Sequence, residues 1–224
     1  MVRAVIFDMF ETLVSLFAGR TYFGENIAAD VGIDADEFRA VWHKNEFSRS
    51  IGRLTIEEAL SQAFSVFGIT DEKSTALAAE KRRAALDDTF SAIPEETFAM
   101  LDGLKRRGLL IGLISNCFSD ECEIIKASPL FGYFDSAMLS YEQGICKPDK
   151  EIYLRITGEL DVMPQECLYV GDGGSRELFA ADELGMKAVQ AEWFRRYAFE
   201  PHIPCPVYPQ FLQAQKQEDI FGHL

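Results

Sequence analysis

The stretch Val2-Arg-Ala-Val-Ile-Phe7, followed at once by Asp8-Met-Phe-Glu-Thr-Leu13, sets the fold. A short apolar run with β-branched Val5 and Ile6 suits a strand covered on both faces, as in a parallel sheet. A carboxylate directly behind such a strand lies at the carboxyl edge of the sheet, where open α/β sheets bind their ligands.

Downstream of this segment the same pattern recurs. Pro94-Glu95-Glu96 opens a helix that closes before Gly108, with Pro just inside its start and Gly beyond its end. Strands are predicted over residues 109–114, 136–139, 167–170 and 187–190, and helices over 119–127, 150–160 and 175–184. Alternating strands and helices build right-handed βαβ units, so the fold class is α/β with a Rossmann-like parallel sheet. Residues 15–90 carry no strand signal. Phe38, Val41, Trp42 and Asn45 keep helical spacing, Thr55-Ile-Glu-Glu58 is a capping box for a helix over 56–67, and 71–88 is alanine-rich. The organisation read from this is a core of residues 1–14 and 91–224 with an inserted α-helical segment over 15–90.

Roughly half of the 224 residues are apolar and 18 are Phe, enough for a sizeable core. Twenty-two basic against 36 acidic residues give a net charge of -14, which argues against a nucleic-acid surface but not against a small anionic ligand in a locally positive pocket. The apolar runs are strand-sized and no signal-peptide pattern opens the chain, so a cytoplasmic protein without a membrane partner is expected. Five cysteines without a CxxC pair read as free thiols.

Polar residues collect just past the strand ends. Asp8 follows the first, Ser115-Asn116 the second and Gly171-Asp172 the fourth, while Lys147 stands in the loop after the third. Two carboxylates, a hydroxyl and an ammonium thus converge on one rim.

These segments resemble the motifs of the haloacid dehalogenase-like hydrolase superfamily. Phe7-Asp8-Met-Phe-Glu-Thr-Leu13 is similar to motif one, Ile114-Ser115-Asn116 to motif two, Lys147-Pro148-Asp149 to motif three, and Val170-Gly-Asp-Gly-Gly-Ser-Arg-Glu177 to the acidic motif four. The resemblance runs in order over about residues 3–190, and it makes 15–90 the family's cap. It implies that Asp8 is a nucleophile, that Lys147 pairs with it and with the bound anion, and that Ser115 donates to a transferring oxygen. It further implies that Mg²⁺ is held by Asp8, Asp172 and the backbone carbonyl of Phe10. Thr12 and Asn116 are then expected at the substrate, with Thr12 ordering the loop, and Glu177 behind Asp172 as an outer support.

The chain departs from the family's phosphatases at Phe10, where they carry a second Asp that protonates the leaving alkoxide. Losing a positioned general acid typically costs about 10²–10⁴-fold. Glu11 is adjacent, but neighbours in an extended segment point to opposite sides. The dehalogenase branch carries an aromatic residue there, since halide leaves without a proton, but works without a metal and differs in motif four. Its members hold the substrate carboxylate with a cap arginine. Arg39, Arg49 and Arg53 are the candidates, each read as a solvated helix residue. Three readings stay open: a Mg²⁺-dependent phosphatase of a small phosphorylated metabolite, a 2-haloacid dehalogenase-type hydrolase, and a weakly active phospho-ligand-binding protein. Trp42, Phe38 and Phe47 read as core of the helical segment, the three histidines as ordinary polar residues, and the aromatic stretch after Trp193 as packing on the sheet or a dimer contact.

Overall fold

The computed structural model describes every residue, Met1–Leu224. In chain order the elements are β1 (Ala4–Phe7), α1 (Gly24–Val31), α2 (Ala35–Lys44), α3 (Glu46–Ser50), α4 (Ile56–Val66), α5 (Glu72–Ser91) and α6 (Glu95–Arg106). Then follow β2 (Leu110–Ser115), α7 (Ser119–Ala127), β3 (Ser136–Leu139), α8 (Ser140–Gln143), α9 (Lys150–Glu159), β4 (Cys167–Gly171), α10 (Glu177–Glu183), β5 (Lys187–Ala191) and β6 (Leu212–Ala214).

The six strands form one sheet in the order β3-β2-β1-β4-β5-β6, and every pairing is parallel. This is the Rossmann-like α/β architecture expected. Successive residues of β1 alternate between the two layers: Val5 and Phe7 join one buried cluster, Ala4 and Ile6 the other. The chain leaves β1 to build β2 and β3 on one side, then crosses back to β4 on the other. β1 is therefore the topological switch point, and Asp8 sits at its open end.

Between β1 and α6 lie only helices, and their apolar faces make a third cluster containing Phe38, Trp42, Leu60 and Phe64. The capping box forms as read: Thr55 accepts from the Glu58 amide, and the Glu58 carboxylate accepts from the Thr55 amide. Phe47 departs from expectation. It sits on the outer side of the five-residue α3 and is 59% exposed. The helical segment is tied to α7 by buried ion pairs from Arg82 to Asp120 and Glu121 and by Ile56 N donating to Ser119. No helix is long and apolar enough to cross a membrane.

Several element ends shift by a residue or more, and two regions differ further from the sequence reading. The helix predicted from residue 175 begins at Glu177, because Ser175 and Arg176 adopt left-handed backbone and break it. Beyond β5 the chain adds β6 to the sheet edge. Trp193 and Phe194 bury against the core, whereas Phe199 stays 42% exposed.

Candidate active site

Asp8 emerges from β1 with its amide donating to the Val170 carbonyl, which locks the start of the loop to the neighbouring strand. Its Oδ1 lies 2.5 Å from Lys147 Nζ. The same ammonium donates to Glu177 Oε2 at 2.6 Å. Lys147 is buried, and its charge is held by these two carboxylates, which keep its pKa above the ordinary lysine value despite burial.

Glu177 is fully engaged. Tyr169 donates to Oε2 at 2.8 Å and the Gly173 amide to Oε1 at 3.1 Å. With Lys147 these contacts account for both carboxylate oxygens, so Glu177 is a support for Lys147 and the Gly173 turn rather than for the Asp172 side chain. Two glycines make the arrangement possible. A Cβ on Gly171 would stand 2.0 Å from Glu177 Oε1, and Gly173 holds φ +101°.

Asp172 lies past β4, its Oδ1 accepting from the Gly174 amide and its carbonyl from Gln190 Nε2. Carboxylate oxygens of Asp8, Asp172 and Glu177 all lie within 4.8 Å of one another. Three carboxylates share one ammonium. Burial first, then Glu177, push Asp8 well above the usual carboxylate range, with Lys147 opposing. The same two causes raise Asp172 to about 6. The site is short of positive charge, and the donor set is all oxygen. That combination fits a hard divalent cation such as Mg²⁺ at Asp8 and Asp172.

Ser115 is buried at the end of β2, and its hydroxyl makes only a 3.5 Å contact with the Asn116 carbonyl, leaving it free to donate. Asn116, expected at the substrate, makes its hydrogen bonds here to neighbouring protein groups. Its amide clamps the Lys147 backbone through both N–H (2.8 Å) and C=O (3.0 Å) and donates to Ser175 at 3.2 Å. Thr12 Oγ1 is buried without a partner, while its carbonyl accepts from Trp193 Nε1.

Phe10 packs edge-on against Phe90 of α5, ring centroids 6.3 Å apart. The segment after it is not extended. Glu11 takes φ +56° and folds its carboxylate back onto Ser15 Oγ (2.7 Å) and the Leu16 amide (2.8 Å). It then lines a cavity of about 210 Å³ together with Asp172 and Cys205, and burial raises it to about 7. Three of the four non-glycine residues with positive φ, namely Glu11, Ser175 and Arg176, flank this rim.

Sequence reasoning missed Gln190, which is buried at the end of β5 and bridges the Asp172 and Pro206 carbonyls. It also missed Tyr169. A polar tip on a buried strand is the only sequence signal of these two residues. The histidines take ordinary partners: His43 binds Glu46, His202 binds Glu25 and His223 the Gln213 carbonyl. Arg39 pairs with Asp36 and Arg53 lies over the Phe47 ring, but Arg49 is buried.

A buried aspartate at the switch point, paired with a lysine and facing a second acidic loop, defines a hydrolase site of a known kind. The profile of haloacid dehalogenase-like hydrolases matches residues 2–185, and the chain belongs to that family. It is 25% identical over 199 residues to (S)-2-haloacid dehalogenase 4A of Burkholderia cepacia, covering 84% of this chain and 82% of the relative. It is 31% identical over 133 residues to phosphoserine phosphatase of Thermus thermophilus, covering 59% of this chain and 51% of that protein. A HAD family enzyme of Bacteroides thetaiotaomicron, solved in complex with magnesium and inorganic phosphate, superposes with a TM-score of 0.60 at 18% identity, covering 85% of this chain and 94% of the other.

Proposed function

We propose that this hydrolase cleaves phosphate monoesters of small metabolites by way of an aspartyl phosphate on Asp8, with Mg²⁺ as cofactor, and that residues 15–90 act as the cap over the site. The observation that carries this reading is the charge imbalance at the rim, three clustered carboxylates on one lysine. An anionic substrate cannot approach such a site unless a further cation is present.

Asp8, Asp172 and the Phe10 carbonyl would hold Mg²⁺, which when bound offsets the negative charge of the carboxylates and of the phosphoryl oxygens. Lys147 fixes Asp8 through Oδ1, leaving the other oxygen to attack phosphorus. The new bond joins that oxygen to phosphorus as the ester oxygen departs. Ser115 donates to a phosphoryl oxygen, and buried Thr12 Oγ1 is a second unspent hydroxyl beside the nucleophile loop. Water then attacks the same phosphorus, freeing inorganic phosphate and restoring the carboxylate. Asn116 and Glu177 act through Lys147, which they hold in place.

Phe10 cannot give the departing oxygen a proton, and this favours a second reading, halide displacement from a 2-haloacid. The two are separated by measuring phosphate release from nitrophenyl phosphate with and without Mg²⁺, beside halide release from 2-chloropropionate. The phosphatase reading expects Mg²⁺-dependent phosphate release that Asp8→Asn abolishes. Halide release that is indifferent to Mg²⁺ would replace it with the second reading.

A further inference from the structure

Two cavities border the rim. The larger, about 440 Å³, lies between the helical segment and the loop after β2, with Arg49 and Phe118 on its wall. The smaller, about 210 Å³, lies beside Asp172, between the loop leaving β1 and the chain that follows β5. Glu11 and Phe17 come from the former, and every wall residue past Asp172 belongs to 191–205. The family profile matches residues 2–185, so that part of the wall lies outside it.

Phe17, Ala191, Phe194, Ala198, Ile203 and Pro204 make the surface of the smaller cavity largely apolar. The chain beyond β5 is held against the Asp172 loop by polar groups that engage one another. Gln190 Nε2 donates to the Asp172 and Pro206 carbonyls, both at 2.8 Å, and its Oε1 accepts from the Tyr208 amide at 2.8 Å. The Cys205 thiol hydrogen-bonds to the Asp172 carboxylate, and Arg195 donates to the Cys205 carbonyl. Glu11 has one oxygen on the Ser15 hydroxyl and the other on the Leu16 amide.

Charge points to the same kind of occupant. Glu11 and Asp172 stand against Arg195, so the wall is net negative and disfavours an anion. With Mg²⁺ on Asp172, Glu11 and Arg195 would be left in balance. An uncharged hydrocarbon group suits such a wall, and each methylene buried there should strengthen binding by about three- to fourfold.

We infer that the cavity beside Asp172 receives the hydrocarbon part of the leaving alcohol, so that the preferred esters carry an apolar chain next to the phosphate. This rests on the phosphatase reading above. Asp172 belongs both to the carboxylate cluster and to the cavity wall, so a phosphoryl group held at the cluster has this cavity as its neighbour. The selecting wall is then the chain beyond β5 rather than the helical segment.

The test is calorimetric binding of methyl-, propyl- and pentylphosphonate, whose C–P bond is not hydrolysed, to the Mg²⁺-supplied protein. Propylphosphonate should bind roughly 10-fold more tightly than methylphosphonate, and pentylphosphonate more tightly again. Ala198→Leu, which puts a larger side chain on the cavity wall, should bring the propyl-to-methyl ratio close to one. Ala198→Val should give an intermediate ratio and guards against a Leu variant that does not fold. A substitution that acted only on stability would weaken all three ligands alike and keep the ratio, which would count against the cavity. Equal affinity for the three chain lengths in wild type, or no binding of any of them, overturns the inference. So does tighter binding of 2-aminoethylphosphonate than of propylphosphonate, which has the same shape without the charge. Hydrolysis of nitrophenyl phosphate is measured alongside. Its absence removes the phosphatase reading, whereas its presence with a flat chain-length series removes this inference alone.

Discussion

Lys147 and Arg49 are both buried cations, and their surroundings are opposite. Lys147 carries two carboxylates at hydrogen-bond distance, with a third close by, whereas Arg49 has two aromatic rings and two nitrogens without acceptors. The rim is short of positive charge and the cavity above it is short of negative charge.

The strongest way to break this comparison is at the nucleophile. Asp8→Asn should reduce turnover of any substrate by roughly 10⁴-fold or more, since removal of a covalent nucleophile leaves only binding and polar stabilisation. Steady-state rates with nitrophenyl phosphate check it, and a variant with near-normal rate would remove Asp8 from the chemistry.

Next comes the leaving group. Without an acid at Phe10, hydrolysis should be far slower for alkyl than for aryl phosphates, and Phe10→Asp should raise the alkyl rate by up to about 10²–10⁴-fold. The thermal midpoint must be followed alongside, because Phe10 packs on Phe90. Fast alkyl turnover by wild type would mean that another group delivers the proton.

The two cations should also differ in stability. Lys147→Met strands the buried carboxylates and should cost roughly 3–5 kcal/mol in denaturant unfolding, whereas Arg49→Met should stay within about 1 kcal/mol of wild type. Equal losses would erase the contrast.

The smallest effect is on pH. Folding raises the Asp172 pKa from 3.8 to about 6, so between these values the folded chain holds a proton that the unfolded chain has released. Stability of metal-free protein should therefore fall as pH rises through that window, and the raised Glu11 and Asp8 should carry the fall further above it. Mg²⁺ should then raise the thermal midpoint more at neutral pH than at about pH 5, and Asp172→Asn should flatten the slope. A slope unchanged in that variant would assign the effect elsewhere.

Much of the core was legible because its physics is local. Strands β1 to β5 are buried apolar runs with a polar residue at the end, and a residue such as Asp8 or Asp172 announces itself by standing there. β6 is three residues long and only partly buried, so it leaves no such pattern. Ser175 and Arg176 look helical in sequence, and their left-handed backbone depends on how Glu177 and Gly173 meet. Glu11 was misread because a turn at one residue redirects its side chain. Arg49 lies on a five-residue helix with too few turns to show a buried face, and its burial is created by Trp42 and Phe118, seven and 69 positions away.

The most direct test of the central claim is to quench the enzyme during turnover of nitrophenyl phosphate with Mg²⁺, reduce with borohydride and map the peptides by mass spectrometry. An aspartyl phosphate on Asp8 would be converted to homoserine at position 8 and nowhere else, and only when Mg²⁺ is present. Phosphate release with position 8 still aspartate would contradict the account.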